Sequence, residues 1–252
     1  MLNKQNIDIS KINTVITFGC SFSDYMYDAE TIYGEVVAKR LNAKYLHHGV
    51  GGGSNHRMWR VFFDYARKGL LNENTLVTVQ WTDLIRKEIL SGIPVDYWLD
   101  LDIKEASRNQ NSYDKEYGSD DVVTHNGGTL FKFKLESHKW HTDFPEVQKY
   151  MELTEKNFVS EKWSHELYNN YNFSIKEYCK HNNIPLVFIR NINYNAYQKN
   201  DSYFNEIESS TIHSENPITD KDGKLDLAHM NTEGHEKLGK KILDKLTKKS
   251  II

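Results

Sequence analysis

The sequence predicts an α/β fold built on a parallel sheet, and three observations carry that expectation. Short β-branched and aromatic runs alternate with stretches whose apolar residues recur at helical spacing. The early runs end in glycine, where a strand hands over to a helix. The alternation resumes late in the chain after a polar middle. Strand, helix, strand, helix, strand at this pitch is the pattern of right-handed crossovers between parallel strands.

Taken in order, Thr14-Val15-Ile16-Thr17-Phe18 is the first strand, stopping at Gly19. Tyr33, Val36, Val37 and Leu41 mark the first helix, for which Thr31 is the expected N-cap. Lys44 to His48 is the second strand and runs into Gly49, Gly51, Gly52 and Gly53. A helix is expected from about Asn55 to Lys68, with Met58, Phe62, Tyr65 and Ala66 on one side and Gly69 as its stop. Thr75 to Trp81 is the third strand. Later, Asn169 to His181 reads as a helix with Phe173, Ile175 and Tyr178 as apolar points. Ile184 to Arg190 reads as a strand with Pro185 at its start, where a missing donor is tolerated. Leu238, Ile242 and Leu246 mark the last helix. The middle, about 86–162, reads as an elaboration inserted after the third strand of a single domain spanning 1–252, with a hairpin around Asn126-Gly127.

Composition narrows the function classes. The 252 residues carry 32 basic and 35 acidic side chains, a net charge of -3, which argues against a polyanion binder, so no nucleic-acid partner is expected. The one basic run, Lys237 to Lys249, reads as the solvated end of the last helix. Cys20 and Cys179 are too few for a disulfide scaffold. The polar start lacks a signal-peptide core and no run is long enough to span a membrane, so a cytoplasmic protein is expected, virion-associated if it comes from a phage.

Three segments carry chemistry. Phe18-Gly19-Cys20-Ser21-Phe22-Ser23-Asp24 lies at the carboxyl end of the first strand, the edge where ligands bind in open α/β sheets. A serine on a tight turn there points its hydroxyl into the crevice, and its own N–H can serve an oxyanion. Gly49-Val50-Gly51-Gly52-Gly53-Ser54-Asn55 lets backbone N–H groups approach a ligand, yet fits neither a P-loop nor a dinucleotide fingerprint. Asp226-Leu227-Ala228-His229 precedes the last helix, with the carboxylate spaced to turn back onto the imidazole and fix its tautomer.

Their order resembles the SGNH (GDSL-type) esterase family, and the Gly-Cys-Ser block and the Gly52-Gly53-Ser54-Asn55 loop are similar to those of phage and bacterial members. The resemblance covers about 13–83 and 184–246. It implies a three-layer α/β/α sandwich with a flavodoxin-like parallel sheet of about five strands. It also implies Ser21 as nucleophile, His229 as base and Asp226 as its orienting partner, with the N–H groups of Ser21 and Gly52 as oxyanion donors. No cofactor and no metal are expected. The substrate class it implies is an ester, such as a small acyl group on a carbohydrate or small molecule.

Two positions depart from the family pattern. Cys20 replaces the aspartate before the nucleophile, and its own use as nucleophile is the weaker alternative because buried structural cysteines are common. The family's Gly-x-Asn-Asp block is Gln80-Trp81-Thr82-Asp83, so Thr82 stands where the oxyanion asparagine is expected. Either Thr82, Gln80 or a swinging Asn55 supplies that donor, or the protein is a slow enzyme; the alternative of another class is a non-catalytic glycan-binding or structural module, for example of a phage particle. Asn55, Trp81, Trp98 and Trp140 are the candidate substrate-facing residues; the insertion that holds the last two reads first as a satellite core or subunit contact, with a substrate-selecting lid as the alternative. His47, His48, His138 and His141 lack clean metal-ligand spacing.

Overall fold

A computed structural model describes residues 8–23, 29–49, 54–82, 84, 161–190, 205–209, 212, 215–219, 223 and 225–249. The elements are β1 (Thr14–Gly19), α1 (Tyr33–Leu41), β2 (Lys44–Gly49), α2 (Asn55–Arg67), β3 (Thr75–Trp81), α3 (Glu161–His181), β4 (Leu186–Arg190), β5 (Asn205–Glu208), β6 (Pro217–Thr219), β7 (Leu225–Met230) and α4 (Thr232–Lys249). The first five strands form one sheet in the order β2-β1-β3-β4-β5, every neighbouring pair parallel. β6 and β7 form a separate antiparallel pair. This is the α/β architecture expected, with the doubly wound 2-1-3-4-5 order.

Two cores make it a three-layer sandwich, because alternate residues of each strand point to opposite faces. Ile16, Phe18, Val77, Val79, Trp81, Leu186 and Phe188 pack with Met58, Val61, Phe62 and Tyr65 of α2 and Tyr168, Ile175 and Cys179 of α3. Val15, Leu76, Val187, Ile189 and Ile207 face Tyr33, Val37 and Ala38 of α1 and Leu238, Ile242 and Leu246 of α4. β3 is buried along its whole length, as a central parallel strand must be.

Several elements differ from expectation. Thr31 does not cap α1: Ile32 occupies that position with no side-chain bond, and the Thr31 hydroxyl donates instead to the Glu35 carboxylate at 3.0 Å. α3 starts at Glu161, eight residues early, because Tyr168 and Ser164 extend its buried stripe. Phe173 lies on its outer side, 65% exposed, while Ile175 is buried. β4 starts at Leu186, after Pro185, whose carbonyl accepts the Val77 N–H at 2.8 Å. The expected hairpin at Asn126-Gly127 and the rest of 85–160 lie outside the described residues.

Candidate active site

β1 carries the chain to the switch point of the sheet, where connections leave in opposite directions to β2 and β3. Past Gly19 the chain folds over the strand end in one 3-10 turn, Ser21–Ser23, closed by the Ser23 N–H donating to the Cys20 carbonyl at 2.9 Å. Two glycines make room for it. A Cβ on Gly19 would collide with the Ser23 hydroxyl, and one on Gly49 would stand 2.6 Å from the Ser23 carbonyl oxygen. Ser21 is 7% exposed.

His229 comes from the far end of the chain. β7 places it so that its Nε2 is 2.8 Å from Ser21 Oγ, across 208 positions of sequence. The imidazole packs against Phe22 at a centroid distance of 5.0 Å. With its own proton on Nδ1, the ring accepts the serine hydroxyl at Nε2, the geometry a base needs to activate a serine. Asp226 and His229 lie on the strand β7 rather than at a helix start, and α4 begins only at Thr232. In the β6–β7 ladder Asp226 pairs with Ile218, and the register shifts between Pro217 and Ile218. That irregularity breaks the strict two-residue alternation of side chains. The Asp226 side chain itself lies outside the described residues, as does Gly52.

The corner expected to hold the third oxyanion donor is built differently. Asn55 opens α2, behind the Ser54 N-cap, whose hydroxyl accepts the Arg57 N–H at 3.1 Å. Its side-chain amide brackets the Thr82 backbone, Oδ1 accepting the Thr82 N–H at 2.9 Å and Nδ2 donating to the Thr82 carbonyl at 3.2 Å. Asn55 is therefore a buried tie between α2 and the exit of β3, with both ends of its amide engaged. Thr82 is buried with it. Gln80 is fully buried, and its Oε1 accepts the Ser23 hydroxyl. Trp81 is a core residue rather than a substrate contact: it stacks on Phe188 at 5.5 Å and meets Tyr168 edge-on at 5.3 Å. Trp98 and Trp140 lie outside the described residues.

Cys20 is a free thiol fully buried in the core, while its neighbour Ser21 meets the imidazole. His48 hydrogen-bonds the Tyr65 hydroxyl at 2.8 Å and stacks on Phe18, and His47 stands 3.3 Å from the Tyr45 hydroxyl. Among the described residues no three His, Cys, Asp or Glu side chains are grouped to hold a metal ion, and no helix is long and apolar enough to cross a membrane. Sequence reasoning missed the polar seat beneath the turn, formed by Thr17, Thr78, Tyr33, Ser23 and Gln80. Strand parity was the available signal, since Thr78 and Gln80 share one face of β3.

No protein-family model and no curated protein matches the sequence. Among solved structures the chain is similar to a protein assigned to the lipolytic G-D-S-L family from Desulfitobacterium hafniense, at 10% identity over 92% of this chain and 99% of that one, with a TM-score of 0.46. It is also similar to a lipase from a goat rumen metagenome, at 10% identity over 92% and 97%, TM-score 0.44. A third is an acetyl xylan esterase from the rumen bacterium Butyrivibrio proteoclasticus, at 12% identity over 94% of this chain and 64% of that one, TM-score 0.42. Likenesses this distant leave the chemistry to be read from the site's own geometry.

Proposed function

We propose that the protein is a serine-dependent carboxylic ester hydrolase. The observation that carries the reading is the 2.8 Å approach of Ser21 Oγ and His229 Nε2 at the switch point of the sheet. In this mechanism Ser21 Oγ bonds to the ester carbonyl carbon while His229 Nε2 takes the hydroxyl proton. The carbonyl electron pair moves to oxygen, where the N–H groups of Ser21 and Gly52 serve as donors. Collapse breaks the carbon–alkoxide bond, and the imidazolium returns its proton to the leaving alcohol. Water then repeats the sequence on the acyl-enzyme and releases the acid. Asp226 is the orienting carboxylate in this reading, and a small acyl group such as acetyl, carried on a carbohydrate, is the substrate class.

A second reading is favoured by one observation. Thr82 stands in the sequence where the resemblance expects an oxyanion asparagine, and the amide of the neighbouring Asn55 is tied to the Thr82 backbone. A site lacking one such donor turns over about 100- to 1000-fold more slowly, and a glycan-binding module without turnover is the limiting case.

Hydrolysis of an activated acetyl ester by the wild type and by Ser21→Ala, purified in parallel, separates the two. The esterase reading predicts turnover that falls to background in the variant. Equal rates in the two proteins would move the binding module to the front.

A further inference from the structure

We propose that Ser23 and Gln80 are positioning residues for the nucleophile, and that the buried hydrogen bond between them, backed by Tyr33, fixes where Ser21 Oγ stands relative to His229. The proposal rests on the serine-hydrolase reading above.

Ser23 is the last residue of the turn that Ser21 begins, and its N–H closes that turn onto Cys20. Any displacement of Ser23 is therefore passed to Ser21 through the constrained backbone of the one residue between them, Phe22. The Ser23 hydroxyl donates to Gln80 Oε1 and lies 2.9 Å from the Tyr33 hydroxyl. A hydroxyl has one proton; with that proton on the Gln80 carbonyl oxygen, Tyr33 has to be the donor in the second bond. Next to Tyr33, the hydroxyls of Thr17 and Thr78 are 3.0 Å apart, and Thr78 lies 3.3 Å from the Ile16 carbonyl. A buried cluster of polar side chains thus lies between the backbone of β1 and the turn, with Ser23 bonded directly to Gln80 and Tyr33. Every member of it is fully buried.

Stability does not account for Gln80. Its Nε2 is buried and has no hydrogen-bond partner among the described residues, and a buried donor left unpaired opposes folding. A methionine of similar reach would fill the space without that penalty. What methionine lacks is the acceptor for Ser23. The turn above it is seated on Gly19 and Gly49, and the flanking Cys20 and Phe22 anchor it by apolar contact with the core, which has no directional preference. The directional bond that Ser23 donates to Gln80 supplies an orientation that apolar packing does not.

The test uses the full chain and the variants Gln80→Met, Ser23→Ala, the double variant and Tyr33→Phe. Each is measured for melting temperature, for kcat and KM on an activated acetyl ester, and for the rate of phosphonylation of Ser21 by a fluorophosphonate. In that labelling the Ser21 Oγ–P bond forms, fluoride leaves and the proton passes to His229. Gln80→Met and Ser23→Ala are expected to lower kcat and the labelling rate at least about tenfold with KM within about twofold, since small misplacements of a reacting group have large kinetic effects. The double variant is expected to be no slower than the slower single one, because the two residues act as one unit. Gln80→Met is expected to melt no lower than the wild type, and Tyr33→Phe, which keeps the ring, to slow labelling about threefold. Folded single variants that label within about twofold of the wild-type rate would overturn the proposal. If the wild type neither labels nor turns over, the hydrolase reading fails by itself. The positioning claim is then read from the His229 imidazole proton resonances: a shift in Gln80→Met and Ser23→Ala supports it, and unchanged resonances overturn it.

Discussion

The two faces of the sheet differ most at the carboxyl ends of β1 and β3. On the face covered by α2 and α3, apolar side chains run to the last residue: Ile16 and Phe18 on β1, then Val77, Val79 and Trp81 on β3. On the face covered by α1 and α4 they stop short. Val15 and Leu76 are apolar, but Thr17, Thr78 and Gln80 follow them, and the Tyr33 and Ser23 hydroxyls complete the polar cluster. Apolar burial is non-directional and tolerates small shifts, whereas hydrogen bonds select one geometry. The first face holds the fold together, and the second aligns the turn that carries Ser21.

That contrast can be broken from either side. The largest effect on folding is expected on the apolar face. Phe62 is buried and meets Phe18, Phe63 and Tyr178 edge-on, so Phe62→Ala should destabilise the protein by about 3–5 kcal/mol, measured by denaturant unfolding. Its kcat, taken below the melting transition, should stay within a few-fold of wild type. A large loss of kcat with an unchanged melting point would erase the distinction between the faces.

Gly19→Ala attacks the polar side. The added methyl overlaps the Ser23 hydroxyl, so the turn has to lift. The expected result is a loss of about 1–3 kcal/mol of stability together with a drop in turnover on the order of 100-fold. Stability loss without loss of turnover would show that the turn does not need its seat.

Alkaline pH gives the smallest and most graded effect. Burial pushes the Tyr33 hydroxyl well above its ordinary value of 10.0 and the Cys179 thiol well above 9.0. The folded state thus keeps protons that the unfolded chain releases, so their contribution is full below about pH 9 and is lost as pH rises beyond it. Melting temperature should fall from about pH 9 upward, and Cys179→Ala should delay the onset without touching the polar cluster. A melting temperature flat to pH 11 would contradict the burial of both groups.

Much of this was readable from the sequence because period and punctuation speak for buried strands. β1, β2 and β3 were visible as apolar runs stopping at Gly19, at Gly49 and next to Thr82, and their order placed Ser21 at the switch point. β5, β6 and β7 were not, since strands of three to six residues among polar neighbours carry little period-two signal. His229 was found through its motif, although the motif lies on a strand and not at a helix start. Trp81 was misread because nearness in sequence to the site says nothing about which face of β3 a residue takes. The tie that Asn55 makes was not legible because a side-chain amide closing on a backbone 27 positions away has no sequence signature. The role of Gln80 beneath the turn likewise emerges only once β1 and β3 are set side by side.

The most direct test of the central claim is mass spectrometry of the protein after exposure to a fluorophosphonate, with peptide mapping of the adduct. A single phosphonyl group on Ser21, absent from Ser21→Ala and strongly reduced in His229→Ala, is the result predicted by a serine activated by that imidazole. An adduct on another residue, or labelling of Ser21 at an equal rate without His229, would contradict it.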